Sequence, residues 1–157
     1  MANERKDLPA SAAESIPPAE FREAAELRRR LRRFLAHGDA TVRKCGLTPQ
    51  RYLLLLAIKG APDGSESRTV GDLAGDLGLA QSSATELVDR AEAAGLVVRG
   101  SSPDDGRVVH IRLSPEGEHR LTESFTLVRD DRKELLAHLD HARSQLVDGR
   151  PAHASGD

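Results

Sequence analysis

Residues 71–113 read GDLAGDLGLAQSSATELVDRAEAAGLVVRGSSPDDGRVVHIRL. The spacing predicts a short helix over Gly71–Leu77, a bend at Gly78-Leu79, and a second helix over Gln81–Ala94 in which Ala84, Leu87, Val88 and Ala91 share one apolar face. Gly95 suits the end of that helix. Two short strands are expected next, Leu96–Arg99 and Arg107–Leu113. In the second, Val109, Ile111 and Leu113 alternate with His110 and Arg112, the period of a half-buried strand. Ser101–Gly106, with Pro103 and Gly106, joins them as a hairpin loop. Ala74 is small where two helices must cross, Gly78 permits a tight bend, and Ala84 lets the second helix lie on the first. A helix, turn and helix followed by a β-hairpin is the winged helix-turn-helix arrangement, in a chain that is otherwise mainly α.

Working upstream, a helix is expected from Pro18 to Lys44, since proline suits a first turn. Leu27, Leu31, Phe34 and Leu35 make one apolar stripe, opposite Arg28, Arg29, Arg32 and Arg33, and Gly46 ends it. Thr48-Pro49 reads as an N-cap and first turn of another helix running through Ile58 to a stop at Gly60. Its run Leu53-Leu54-Leu55-Leu56 is apolar nearly all round and is expected to be buried. Ala61–Ser67 is a polar loop, and Arg68-Thr69-Val70 an extended piece.

Downstream, Ser114-Pro115 opens a C-terminal helical region in which Leu121, Phe125, Val128, Leu135, Leu139, Ala142 and Leu146 follow a 4-3 spacing broken only by Arg132. Such a pattern marks a helix–helix seam. One long helix fits, as does a break at Asp140 before a short final helix. Residues 1–17, rich in Ala, Ser, Glu and Pro, read as a disordered leader, and residues 148–157 as a tail. The folded domain then spans 18–147, with flanking helices over 18–45 and 114–147 and the winged lobe over 48–113.

Composition narrows the function without deciding it. The 157 residues carry 23 basic and 25 acidic side chains, a net charge of −2, which excludes a uniformly cationic nucleic-acid coat but not a local basic patch. The longest apolar run, Leu53–Ile58, is too short to cross a bilayer, and the start lacks the apolar stretch of a secretory signal. One cysteine permits no intrachain disulfide, and a cytoplasmic setting is expected. There is no nucleophile–base pair, no phosphate-cradling glycine loop and no metal-ligand set (His138 and His141, one turn apart, lack a second pair), so neither an enzyme nor a cofactor is expected.

Three stretches, in this order, resemble the MarR family of transcriptional regulators. The first is an Arg-rich helix leading into Gly46-Leu47-Thr48-Pro49-Gln50. The second is Leu73-Ala74, Leu77-Gly78-Leu79 and Ser82–Arg90 followed by Gly95-Leu96-Val97. The third is Asp105-Gly106-Arg107 with Leu113-Ser114 and Gly117. The resemblance covers about residues 21–147. It implies a homodimeric winged-helix repressor or activator whose first and last helices form the dimer interface and whose DNA binding is weakened by small ligands or by thiol oxidation. A repressor on a pseudo-palindromic operator, released by an effector, is the expectation. Glu86 departs from the basic or neutral residue the family often carries there, the wing tip is less basic than usual, and the stretch after Ser114 is short for two full C-terminal helices.

On that footing Gln81, Ser82, Ser83 and Thr85 are candidates to reach bases or phosphates, or else simply to cap their helix. Arg107, oriented by Asp105, is a candidate for the minor groove. Arg90 and Arg99 either contact phosphates or pair with Asp89 or Asp104, and Arg68 is a further backbone candidate. His37, Arg51 and Tyr52 fall where the implied effector pocket lies, Tyr52 being equally a core residue. Cys45, beside Arg43 and Lys44, is a candidate redox thiol or an incidental one. Charge offers DNA binding no support: residues 68–113 hold five basic side chains (Arg68, Arg90, Arg99, Arg107, Arg112) against seven acidic (Asp72, Asp76, Glu86, Asp89, Glu92, Asp104, Asp105). A winged-helix protein-interaction module with little DNA affinity is therefore the rival reading.

Overall fold

In the computed structural model the residues described are 16–101 and 108–147. Six helices and one hairpin follow in the order α1 (Pro18–Lys44), α2 (Pro49–Lys59), α3 (Val70–Leu77), α4 (Gln81–Ala93), β1 (Val97–Ser101), β2 (Val109–Leu113), α5 (Pro115–Leu127) and α6 (Arg129–Val147). Local chemistry sets most of these limits. Thr48 accepts from the Arg51 N–H ahead of Pro49, and Ser114 accepts from the Gly117 N–H ahead of Pro115. At the start of α3, Thr69 accepts from the Asp72 N–H while the Asp72 carboxylate accepts from the Thr69 N–H, a capping box that draws Val70 into the helix rather than leaving it extended. Gly78 closes α3 in the left-handed region (φ 63°, ψ 35°), a conformation glycine adopts without steric cost.

The core joins α2, α3, α4 and the hairpin. Leu54, Leu55, Ile58, Leu73, Val88, Ala91 and Ile111 have no exposed surface, and Leu87, Leu96, Val97 and Leu121 close around them. Leu53, expected to be buried with its neighbours, is half-exposed: α2 turns that side away from the lobe. In the antiparallel hairpin, Val97 lies opposite Leu113, Val98 opposite Arg112 and Arg99 opposite Ile111. A third chain segment lies alongside. Arg68 N–H donates to Ile111 O at 3.1 Å, and Ile111 N–H to Arg68 O at 2.7 Å.

The C-terminal region is two helices, broken at Val128 rather than at Asp140, and α6 is a full 19 residues rather than a stub. Val128 (φ −93°, ψ 8°) sits outside helical values although no glycine or proline is present. The break lets α5 bury Leu121, Ser124 and Val128 against the lobe while α6 runs along α1. The 4-3 seam therefore splits. Leu121 and Val128 are buried within the protomer, whereas Phe125 and Leu139 are exposed, as are Leu31 and Leu35 of α1.

Candidate nucleic-acid interface

Helix α4 starts at Gln81 with Ala80 at its N-cap position and no side-chain cap. Gln81, Ser82 and Ser83, all exposed, are therefore free of the capping role that was one reading of them. Thr85 is already engaged: its hydroxyl donates to Gln81 O one turn back at 2.9 Å, leaving its oxygen lone pairs for an outside donor. The exposed face of α4 thus begins with one amide and three hydroxyl side chains.

The arginines around this face are bound to carboxylates. Arg99 on β1 donates to Asp89 Oδ1 and to Glu92 Oε2, each at 2.5 Å, tying the wing to α4; the Asp89 hydrogen bond is foremost in holding its pKa above the ordinary value. Arg68 is bound to Asp76 of α3, whose hydrogen bond likewise raises its pKa. Arg90 pairs along the helix with Glu86 at 2.7 Å, not with Asp89. Arg90 donates to Glu86 through Nη2, which leaves its other N–H groups for a phosphate, whereas Arg68 and Arg99 each commit two nitrogens to carboxylates. Glu92 and Asp76 were not visible as partners in the sequence because each bond joins separate elements. Asp105 and Arg107, with Asp104, lie outside the described residues.

The three residues expected around an effector have different surroundings. His37 faces Asp131 of α6 (Nδ1 to Oδ2, 2.7 Å) in a cavity of about 70 Å³ lined by Arg30, Arg33, Phe34, His37, Asp131, Glu134 and Leu135, which includes neither Arg51 nor Tyr52. Arg51 instead donates to Arg90 O near the end of α4 at 3.3 Å, bracing that helix from α2. Tyr52 is half-buried against the core; burial raises its hydroxyl pKa and the charge of Arg132 opposes that shift. Cys45 closes α1 and is 8% exposed, so solvent oxidants have poor access to its thiol.

A capped helix, a glycine turn, a helix with an open polar face and an antiparallel hairpin tied to it make up a winged helix-turn-helix. The sequence profile of the MarR family matches residues 46–108, from the turn after α1 into the wing. Over that stretch the chain is similar to the MarR family. The chain is 36% identical over 89 residues to the uncharacterized HTH-type transcriptional regulator YsmB of Bacillus subtilis (strain 168), a match spanning 57% of the chain and 58% of that relative. Solved structures share its fold. A mutant of MepR from S. aureus bound to an oligodeoxyribonucleotide superposes with a TM-score of 0.60 at 14% identity, covering 80% of the chain and 94% of its own. BpsR of Bordetella bronchiseptica, described with the regulation of its DNA binding by 6-hydroxynicotinic acid, gives 0.56 at 19% identity, covering 78% and 91%. Among the described residues no helix is long and apolar enough to cross a membrane.

Proposed function

We propose that the protein is a homodimeric transcriptional repressor that lays α4 of each protomer in a major groove of a pseudo-palindromic operator. The observation that carries this is the unengaged polar start of α4: Gln81, Ser82 and Ser83 are exposed and spared from capping, and recognition helices contact base edges through their N-terminal residues. The MepR–oligodeoxyribonucleotide structure supports the reading through its shared fold. In this reading Arg107, oriented by Asp105, enters the adjacent minor groove and Arg90 reaches a phosphate. Thr85 accepts from an outside donor, while Arg68 and Arg99 chiefly hold α3, α4 and the wing in position. Half-sites lie roughly 34–36 Å apart. Such a regulator acts in the cytoplasm, without a cofactor.

Release by a small effector is part of the same reading, supported by the effector-regulated DNA binding of BpsR. A ligand seated between the α1/α5/α6 helices and the winged lobe shifts the protein only by its differential affinity for two lobe spacings.

The acidic balance of the lobe favours a second reading, a protein-interaction module. A gel shift against DNA upstream of the chain's own gene, at two salt concentrations, separates the two. An operator complex that weakens steeply with salt and is lost in Arg107→Ala supports the repressor, whereas absence of any complex at low salt supports the module.

A further inference from the structure

The buried positions of α4 are Ala84, Leu87, Val88 and Ala91. At about 100° per residue, the direction opposite them passes through Ser82, Glu86, Asp89 and Ala93. Asp89 is bonded to Arg99 on the wing. Glu86, on the second turn with its side chain 70% exposed, is the ionised group on this outward line that is tied to no other element among the described residues. Its one hydrogen bond there comes from Arg90, one turn on, to Oε2, which leaves Oε1 for another donor.

We propose that Glu86 reads a cytosine in the operator, with Oε1 accepting the N4 amino hydrogen while Arg90 holds the carboxylate. The proposal rests on the DNA-binding reading above and adds the base that is read. An ionised carboxylate only accepts hydrogen bonds. In the major groove guanine offers it the acceptors N7 and O6, and thymine the acceptor O4; both repel it. Adenine offers its N6 amino group beside the acceptor N7, and cytosine offers an amino group alone. Cytosine is therefore the base that offers a carboxylate in this position a donor with no acceptor of its own beside it. The bond from Arg90 fixes the rotamer and offsets the negative charge that Glu86 brings toward the phosphates. As a mere surface pair four residues apart on one helix, Glu86 and Arg90 would contribute little and would leave no trace in base preference.

The test is selection of double-stranded DNA from a random pool by the full chain and by Glu86→Ala and Glu86→Gln, both exposed substitutions. The wild type is expected to enrich half-sites carrying cytosine at one position by about tenfold or more over other bases. Glu86→Ala should flatten that position alone, and Glu86→Gln should move it to adenine, whose N6 and N7 an amide matches. Unchanged preferences at every position in Glu86→Ala overturn the proposal, as does a flattened position that the wild type fills with guanine or thymine. Failure of the wild type to enrich any sequence at low salt overturns the DNA-binding reading itself.

Discussion

Arg68 donates both Nε–H and Nη2–H to a single oxygen of Asp76, Oδ2, at 3.0 and 2.6 Å. The pair fastens the strand segment beside Ile111 to α3, and it occupies a guanidinium that would otherwise attract phosphate. Asp76→Asn is expected to strengthen non-specific DNA binding and to steepen the fall of log affinity with log salt by about 0.9 for each phosphate the freed arginine neutralises. Arg68→Ala in the otherwise wild-type chain should leave that slope nearly unchanged. Salt titrations of both variants on a non-operator duplex decide the matter; a shallower slope for Arg68→Ala would assign Arg68 to a phosphate already.

The capping box at α3 carries a pH dependence. The backbone N–H of Thr69, then its hydroxyl, hold the Asp72 carboxyl below its ordinary pKa. A group whose folded pKa is depressed contributes stability that is present above its unfolded pKa, near 4, and lost as pH falls through the folded value. Thr69→Ala is expected to cost about 1 kcal/mol at neutral pH and to flatten the acid side of the stability profile. Urea unfolding at pH 7 and at pH 3 measures both; equal losses at the two pH values would detach Asp72 from the effect.

Gly117, in the first turn of α5, lies against the backbone of Leu96 so closely that a Cβ there would overlap the Leu96 carbonyl oxygen. The approach is held from both sides: Ser114 N–H donates to Leu96 O at 3.0 Å, and the Ser114 hydroxyl donates to Gly95 O at 2.5 Å. The obstacle is backbone and cannot rotate away, so Gly117→Ala should destabilise the fold by about 1–3 kcal/mol. Thermal unfolding checks it. An unchanged midpoint would mean that α5 withdraws from the hairpin without cost.

What was legible in the sequence was local. Thr48-Pro49, Ser114-Pro115 and Gly78 mark element ends through bonds to neighbours a few residues away, and each stands where the pattern places it. The break at Val128 carries no glycine or proline signal, because it comes from two different packing partners for α5 and α6. The candidate interface was legible as residue types but not as bonds. Arg99 finds Asp89 and Glu92 only once the wing folds back onto α4, and His37 finds Asp131 only once α6 lies along α1.

The 4-3 pattern shows most clearly what one chain leaves unfinished. Leu35 of α1 is 62% exposed and Leu136 of α6 53%, with Leu31, Phe125 and Leu139 also open to solvent. Apolar side chains repeated along two packed helices gain little by facing water, and a second copy related by a two-fold axis would cover the same patch on both protomers. Leu35→Glu combined with Leu136→Glu is expected to turn a dimer into a monomer in light scattering, since each places a charge where apolar surface would be desolvated. The winged lobe, whose core uses neither residue, should keep its fold by circular dichroism. Operator affinity should fall by a factor on the order of a hundred or more, because two linked half-site contacts become two separate ones. A double variant that remains dimeric would place the interface elsewhere, and one that is monomeric yet binds the operator at full strength would remove the need for a dimer.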